Sequence, residues 1–426
     1  MNSQTRPRVA IVGSGISGLT AAYRLHPEVE IDVFEQNDWI GGHTHTVDVT
    51  VEGTSYAVDT GFIVFNEWTY PRFLNLLSEI GLSHQNTDMS FSVMSETTGI
   101  EYAGTNLSTL FAQRHRLFSI RYYRFLLDIM NFNKTAILDL EAGQIEPAQT
   151  LQQYLSKLNL TDLFYSHYLL PMAAAIWSSD LTDVSEMPAL FFVRFFKNHG
   201  LLSVTNRPQW YTLPGGSSTY IEPLTREFQD RIRLKTRVRS VKQTDQGIAV
   251  TSELGTEFFD AVVLASHTDQ SLAMLDDREP ELRQLLAGIS YANNDVVLHT
   301  DQTQMPKNRR AWASWNYQIQ GQPEGIGAVV TYDMNRLQNL AGPHQFFVTL
   351  NNTSQINPDT ILGHWTYAHP QFGPNSLQVQ SRIEGINSGS RIVVAGAWCC
   401  NGFHEDGVVS GERAAIAVQK SLGIYV

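Results

Sequence analysis

The chain has 426 residues, of which 42% are hydrophobic, so it is long enough for two hydrophobic cores. Its formal net charge of −12, from 30 basic and 42 acidic residues, argues against a general nucleic-acid binder. No apolar run reaches the roughly 18 residues of a membrane-spanning helix, and two adjacent cysteines, Cys399 and Cys400, exclude a disulfide framework and favour a reducing, cytoplasmic location.

A glycine-rich turn follows the first predicted strand, Val9 to Val12. Gly13, Gly15 and Gly18 form the pattern G-x-G-x-x-G, which opens into a helix that carries Ser17 in its first turn. Gly13 permits a tight turn, Gly15 lets the backbone approach a pyrophosphate, and Gly18 lets the helix pack closely on the strand. The free N–H groups at the start of this helix would face the phosphates.

An acidic residue ends the second predicted strand, Ile31 to Phe34. This residue is Glu35, 22 positions after Gly13, and a carboxylate there accepts hydrogen bonds from ribose hydroxyls. Because it would repel a 2′-phosphate, NADP is disfavoured. The order of strand, glycines, helix, strand and acid predicts a dinucleotide site, and a glycine-rich loop without a nucleotide is the alternative.

The later segments alternate between helical and strand patterns. Apolar spacing predicts a helix over 70–81, and residues 85–210 hold aromatic-rich helical patterns. Residues 232–265 predict a small sheet that ends in a buried parallel strand, and Arg391 to Gly396 predict another buried strand. Ser410-Gly411-Glu412 is expected to lead into the closing helix.

A second glycine pair, Gly41-Gly42, follows Glu35 by six residues and precedes His43 and Thr44. This arrangement resembles the flavin-containing amine oxidase superfamily, in which the corresponding stretch folds back over the FAD pyrophosphate. The resemblance implies that Gly41, Gly42, His43 and Thr44 contact the cofactor.

The C-terminal part resembles the same superfamily. Gly396 ends the last buried strand, and Val408 lies in the segment that would present helix-end N–H groups to the flavin pyrimidine ring. Val238 matches the position whose backbone meets the adenine in these proteins. The comparable tethering position, before Tyr367, is Thr366 and not cysteine, so the resemblance implies non-covalent FAD.

The fold that this resemblance implies is of the mixed α/β (α+β) class. It comprises a Rossmann-like FAD-binding domain built from the separated segments 1–84, 205–288 and 385–426. Residues 85–204 and 289–384 would form a substrate-binding domain with a mixed sheet and helices.

A narrower resemblance is to bacterial flavoproteins often encoded beside cyclopropane-fatty-acyl-phospholipid synthases; plant cyclopropane synthases carry a similar domain. It implies an FAD-dependent oxidoreductase that oxidises or desaturates a fatty-acyl chain, with such a synthase as a possible partner. Two other functions stay open: an oxidase of small amines, and a flavin-bound accessory module for a lipid-modifying methyltransferase. The blocks that carry this resemblance are 42–46, 59–66, 88–92, 168–177, 311–317 and 402–407.

Two departures from ordinary amine oxidases make an amine substrate less expected. Those enzymes place a lysine beneath flavin N5, whereas the nearest run here offers Asn293, Asn294 and Asp295. Their paired-tyrosine cage maps onto Tyr367 and Phe403, so one phenol is missing.

The candidate catalytic residues are His404, Glu405 and Tyr367. His404 and Glu405 lie between the last strand and the closing helix, and a histidine that titrates near neutral pH suits acid–base work. The alternative is that His404 only holds the cofactor or a loop carbonyl. Tyr367 and His369 form a second cluster, for which pocket lining is the alternative. No metal is expected, because His43 and His45 lack a third ligand nearby.

Two kinds of segment, one aromatic and one basic and amphipathic, suggest contact with lipid. Aromatic residues within 164–177 and 191–196 could line a tunnel for an alkyl chain, although core packing explains them equally well. Residues 111–134 form a basic amphipathic segment that could lie in a membrane interface, so a peripheral location at the inner face of the membrane is an option. The alternative for this segment is a surface helix with a solvated charged face.

Overall fold

A computed structural model describes residues 6–178, 181–203, 205, 207–321 and 328–424. Five sheets and many helices make up this part of the chain, which confirms the mixed α/β class. The strands are β1 (Arg8–Val12), β2 (Glu30–Phe34), β3 (Thr46–Val51), β4 (Thr54–Asp59), β5 (Phe65–Asn66), β6 (Gln85–Thr87), β7 (Phe91–Ser95), β8 (Glu101–Ala103), β9 (Trp210–Thr212), β10 (Ile232–Arg233), β11 (Val238–Thr244), β12 (Gly247–Ser252), β13 (Gly255–Phe259), β14 (Ala261–Leu264), β15 (Ser290–His299), β16 (Trp315–Ile319), β17 (Val330–Asp333), β18 (Phe347–Leu350), β19 (Ile361–Gln371) and β20 (Ile392–Val394).

The α-helices are mostly short, and a π-helical turn (Tyr165–Leu169) joins two of them. They are α1 (Ile16–Leu25), α2 (Pro71–Glu79), α3 (Leu107–Leu110), α4 (Ile120–Glu141), α5 (Leu151–Leu155), α6 (Asp162–Phe164), α7 (Leu170–Trp177), α8 (Leu181–Glu186), α9 (Ala189–Asn198), α10 (Ile221–Thr225), α11 (Thr268–Met274), α12 (Pro280–Leu286), α13 (Met334–Gln338), α14 (Pro374–Asn387) and α15 (His404–Ser421).

A five-stranded parallel sheet in the order β10-β2-β1-β14-β20 carries the glycine-rich turn. Its central strands read as continuous apolar runs, such as Val9 to Val12 and Ala261 to Leu264, because both faces of the sheet are covered. One apolar cluster packs α1 and α15 on one face, and a second cluster packs the β11-β12-β13 sheet and α12 on the other. The carboxyl ends of the parallel strands therefore meet at one edge.

A seven-stranded mixed sheet in the order β19-β15-β18-β17-β16-β7-β8 forms the second layer system. The two long strands β15 and β19 pair antiparallel, which sets Asn294 opposite Tyr367. The largest apolar cluster lies between this sheet and the helices α4 to α9, with Phe125, Phe164 and Phe192 fully buried. Among the helices that the structure describes, none is long and apolar enough to cross a membrane.

The closing helix begins six residues earlier than the sequence predicted, at His404 and not after Ser410. Asp406 explains this start, because its carboxylate accepts hydrogen bonds from the backbone N–H groups of Asn401 and Phe403. Two glycines, Gly407 and Gly411, lie inside this helix. They are packing positions: a Cβ on Gly407 would lie 2.5 Å from Ile16, and one on Gly411 would lie 2.4 Å from the Ser17 carbonyl oxygen.

Candidate active site

A cavity of about 1120 Å³ extends from the carboxyl ends of the parallel strands into the seven-stranded sheet and its helices. Such an edge is where open α/β sheets bind their ligands. The cavity brings together most of the residues predicted for the cofactor. Those that line it are Gly13, Gly15, Ser17, Glu35, Gly41, Gly42, His43, Val238 and Gly396.

The glycine-rich turn has room for a phosphate group at one position only. A Cβ on Gly15 would meet no atom of the protein within 4 Å, whereas one on Gly18 would lie 2.0 Å from the carbonyl oxygen of Gly13. Gly13 itself has a φ of 105°, and its Cβ would lie 2.6 Å from the Ala265 oxygen. Gly13 and Gly18 therefore serve packing, and Gly15 leaves open space at the start of α1, as a pyrophosphate requires.

Glu35 is buried and holds the turn together while lining the cavity. Its Oε2 accepts hydrogen bonds from the backbone N–H and the hydroxyl of Ser14, at 2.9 and 2.7 Å. Its Oε1 accepts one from the backbone N–H of Asn37 at 2.8 Å. Since a carboxylate oxygen has two acceptor positions, Oε1 keeps one for a ribose hydroxyl.

The second glycine pair lies directly on the first turn. The Gly41 N–H donates to the carbonyl of Ser14 at 3.0 Å, and a Cβ on Gly42 would lie 3.1 Å from the Cα of Gly15. Thr44 is fully buried behind this loop, where its hydroxyl lies 2.6 Å from that of Tyr220. The loop thus closes over the space left open at Gly15, while Thr44 supports it from behind.

Three residues predicted for the cofactor do not line the cavity: Gly18, Thr44 and Val408. Val408 is fully buried in an apolar cluster with Ile16 and Leu19, so its side chain holds α15 against α1. The first turn of α15 is nevertheless at the cavity, because Gly402, Phe403 and His404 line it.

His404 lines the cavity, and its imidazole is held on several sides. Its Nε2 lies 3.0 Å from the hydroxyl of Tyr220, and its ring stacks on Phe62 with centroids 3.7 Å apart. Burial lowers the pKa of His404 to about 3, so the ring is neutral. The geometry shows a fixed, uncharged histidine whose Nε2 is already engaged.

Glu405 is not brought to the cavity. Its two carboxylate oxygens accept hydrogen bonds from the backbone N–H groups of Arg72 and Phe73, at 2.9 and 2.8 Å. These two groups lie in the first turn of α2, which begins with Pro71 and has no side-chain cap of its own. Glu405 caps that helix from a neighbouring element, and this geometry gives no support to its predicted catalytic role.

Tyr367 lines the cavity and is tied to the segment after the second glycine pair. Its hydroxyl lies 2.7 Å from Nδ1 of His45 and 2.8 Å from the hydroxyl of Thr60. Burial raises the pKa of Tyr367 to about 12, so the phenol stays protonated. Phe403, the other predicted cage residue, also lines the cavity and stacks on Phe195 with centroids 5.0 Å apart.

His43 lies within a group of histidines that the sequence did not bring together. The ring of His43 is 5.8 Å from that of His267 and 5.4 Å from that of His369. Burial lowers the pKa of His43 and of His267 to about 4, and that of His369 to about 3. All three are therefore neutral, and all line the cavity. His267 was missed, although its place just after β14 is a signal, since ligands bind beyond strand ends.

The hydrogen bonds of these histidines differ. Nε2 of His43 is buried without a hydrogen-bond partner among the described residues. Nδ1 of His369 lies 3.0 Å from the amide nitrogen of Asn294, one of the residues in place of the expected lysine. His43 thus lines the cavity and has a buried ring nitrogen whose hydrogen-bonding capacity no described residue satisfies.

The end of the cavity away from the glycine turn is mainly apolar. Its walls include Tyr168 and Met172 from the first aromatic segment and Phe195 from the second, together with Trp315 and Tyr332 from the seven-stranded sheet. Phe164, Phe192 and Phe196 of the same two segments are fully buried in the core. Some aromatic side chains of these two segments therefore line the cavity, and others pack in the core.

Comparison with known proteins places the chain among flavoenzymes. Residues 16–328 match the sequence model of the flavin-containing amine oxidoreductase family. The chain is 28% identical over 284 residues to flavin-containing amine oxidase A of Canis lupus familiaris; the match covers 64% of this chain and 52% of the relative. The chain thus spans about half the length of that relative.

Solved structures share the fold over nearly the whole chain. Cyclohexylamine oxidase from Brevibacterium oxydans IH-35A has a TM-score of 0.68 at 15% identity, covering 98% of this chain and 100% of its own. The fatty acid isomerase from P. acnes, which produces CLA, also has a TM-score of 0.68 at 15% identity, covering 95% and 97%. At such identities the likeness concerns the fold alone.

Proposed function

This chain belongs to the flavin-containing amine oxidoreductase family, and from that premise we propose that it is an FAD-dependent oxidoreductase acting on a fatty-acyl chain of a lipid. The observation that carries the proposal is the cavity, which joins a dinucleotide-shaped end to an apolar end. FAD fits the first end. The backbone around Gly15 would bind the pyrophosphate, and Glu35 would accept a hydrogen bond from a ribose hydroxyl. Bound FAD supplies the acceptor for a hydride.

The absence of a cysteine at the cavity agrees with non-covalent FAD. Cys399 and Cys400, the chain's two cysteines, do not line the cavity. Burial raises the pKa of the Cys400 thiol to about 11, which keeps it protonated and unreactive.

The charges at the cavity favour a neutral substrate. Within the described part of the chain, the acidic residues of the cavity wall are Glu35 and Asp88. Glu35 is engaged by Ser14 and Asn37, and Asp88 is an exposed residue with Arg336 3.6 Å away. With the remaining acceptor position of Glu35 assigned to a ribose, an ammonium group would meet no other buried carboxylate among the described lining residues, whereas each methylene of an alkyl chain gains about 0.8 kcal/mol on burial.

The groups that would move a proton are histidines. His404, the base proposed from the sequence, has Nε2 engaged by Tyr220. His43 lines the cavity, its Nε2 is buried without a partner among the described residues, and its neutral ring can accept a proton. We therefore propose His43 as the proton acceptor, with His404 positioning Tyr220 and Thr44 behind the loop.

An oxidase of small amines is the second candidate function. It is supported by the amine oxidase names of the relatives and by the aromatic faces of Tyr367 and Phe403 at the cavity, since such faces attract cations. One experiment separates it from the first: anaerobic mixing of the purified flavoprotein with unsaturated, cyclopropane and branched phospholipids, and with amines, while the flavin absorbance is followed.

We expect the lipids to bleach the flavin and the amines to leave it oxidised. Ile176→Trp, which fills the apolar end of the cavity, should abolish bleaching, and the matched control Ile416→Trp on the exposed face of α15 should not. Bleaching by amines alone would establish the second candidate. No bleaching by either class, together with stoichiometric co-purification with a lipid methyltransferase, would establish the accessory module.

A further inference from the structure

Helix α4 and the turns before it expose a group of large apolar side chains, which we call the 107–138 surface. Phe118 is 91% exposed and Ile120 is 87% exposed. Isolated apolar side chains on a protein surface are ordinary, but a contiguous group marks an interaction site. The group comprises Leu107, Leu117, Phe118, Ile120, Tyr123, Leu127, Met130 and Leu138.

The exposed residues of α4 form a single stripe. Ile120, Tyr123, Leu127 and Met130 are three or four positions apart, so they share one face of the helix. The opposite face is also apolar, and it is the one that packs on the core, through residues such as Phe125. The stripe therefore takes no part in packing the core.

The charge of this surface is opposite to that of the chain. Residues 107–138 carry five basic side chains and one acidic side chain, a local charge of +4 within a chain of −12. The acid, Asp128, is buried and bonds to Thr161. No carboxylate among the described residues lies within salt-bridge distance of Arg121, Arg124 or Lys134. These unpaired cations beside apolar side chains complement an anionic lipid surface.

The surface also adjoins the cavity. Gly104 and Thr105 line the cavity wall, and Asn106 follows them as the cap of α3, where its side chain accepts a hydrogen bond from the Thr109 N–H. Leu107, the first residue of α3, is 74% exposed. The apolar surface therefore begins two residues after the cavity wall ends.

We propose that the 107–138 surface docks the protein on the face of an anionic lipid bilayer, with the cavity wall at 104–105 turned towards the lipid. The stripe would enter the acyl boundary, and Arg121, Arg124 and Lys134 would meet lipid phosphates. That an acyl chain passes from the bilayer into the cavity rests on the proposed function, whereas the docking itself does not.

The test is co-sedimentation of the flavin-loaded protein with vesicles whose lipids have saturated acyl chains. Vesicles of phosphatidylcholine containing phosphatidylglycerol should retain the protein, and pure phosphatidylcholine vesicles should retain far less. Phe118→Asp/Ile120→Asp should lower the vesicle affinity by at least about tenfold, as should Arg121→Glu/Arg124→Glu, since each surface cation contributes a several-fold factor.

Matched controls keep the result specific. Leu254→Asp places the same charge on an exposed leucine elsewhere, and Arg382→Glu/Arg391→Glu makes the same charge reversal on another part of the surface. Both controls should bind vesicles as the unchanged protein does. Flavin absorbance and the melting temperature of every variant establish that it is folded.

Equal vesicle binding by the variants and their controls would overturn the proposal, as would failure of the folded flavoprotein to bind anionic vesicles. Concentration-dependent dimers that Phe118→Asp/Ile120→Asp abolishes, without vesicle binding, would assign the surface to a second copy of the chain instead. Vesicle binding together with a flavin that no lipid reduces would uphold the docking and refute the lipid substrate.

Discussion

The carboxylate of Glu405 lies 2.8 Å from the backbone nitrogen of Phe73 and accepts its hydrogen bond, so the start of α15 caps the start of α2. His404, the preceding residue, lines the cavity instead. Two neighbours in the sequence thus serve two different parts of the molecule, and substitutions should separate their roles.

Glu405→Ala should destabilise the protein and leave flavin binding intact. Loss of a helix cap costs about 1 kcal/mol, and Glu405 does not line the cavity. Chemical unfolding and flavin titration measure the two effects, with the exposed Glu146→Gln as control. A weakened flavin affinity at unchanged stability would show that Glu405 acts on the cofactor.

Gly15→Ala should weaken flavin binding, whereas Gly18→Ala should destabilise the fold. At Gly15 the backbone has a φ of −66° and a methyl group meets no protein atom, so the variant should fold normally. The methyl group would enter the space assigned to the pyrophosphate, and we expect flavin affinity to fall at least about tenfold, which is 1.4 kcal/mol.

At Gly18 the methyl group would clash with the Gly13 carbonyl oxygen, so we expect a loss of stability of about 1–3 kcal/mol. Melting temperatures without flavin and titrations with flavin distinguish the two variants. Normal flavin binding by Gly15→Ala would show that the pyrophosphate does not bind at this turn.

His43→Gln should slow anaerobic flavin reduction by the substrate about a hundredfold, because general-base groups contribute about that much. His404→Gln should reduce the rate less and should lower stability by about 1 kcal/mol, since it disturbs the bond to Tyr220. Stopped-flow reduction across pH provides the comparison. A larger kinetic effect at His404 would restore it as the base.

The protein should lose stability as the pH falls below neutral. Burial lowers the pKa of seven histidines from 6.5 to about 3 or 4, namely His43, His167, His199, His267, His299, His369 and His404. Between pH 6.5 and pH 4 these histidines bind protons in the unfolded chain but stay neutral in the folded chain. The stability that the histidines contribute is therefore present above pH 6.5 and is lost towards pH 4. Each fully buried histidine costs up to about 1.4 kcal/mol per pH unit in that range.

Several buried carboxyl groups oppose this trend, among them Asp333 and Glu405, whose pKa values are raised by burial. The pKa of Asp59 is raised to about 6 and that of Asp406 to about 7, so their contribution is present at low pH and is lost as the pH rises through these values. The seven histidines outnumber them. The melting temperature should therefore be lower at about pH 5 than at about pH 7. His299→Gln should make this difference smaller, whereas His115→Gln, at an exposed position, should leave it unchanged. A flat or rising profile would contradict the prediction.

The nucleotide end of the site was predictable because its signals are local. Gly13, Gly15, Gly18 and Glu35 lie within a single strand–helix–strand unit, where each residue's role follows from its distance along the chain. In the structure the two strands of this unit, β1 and β2, pair in parallel.

The histidine group was not predictable from spacing. His43, His267 and His369 come from three segments, and the pairing register of β15 with β19 decides which side chains face the cavity. The sequence contains 13 histidines, and their spacing does not tell which of them the fold brings together. The early start of α15 was not predictable for a related reason. Glycine is a poor helix former, and only the close contact with α1 explains why Gly407 and Gly411 lie inside a helix.

The packing of α15 on α1 has a consequence for the order of events in synthesis. Helix α15 braces the turn at Gly15 but lies about four hundred residues after it, so it leaves the ribosome much later. Chains fold as they are made, and contacts between remote segments close slowly. We therefore expect the flavin to be captured only after α15 has been made, and the apolar faces of α1 and α15 to stay uncovered until then.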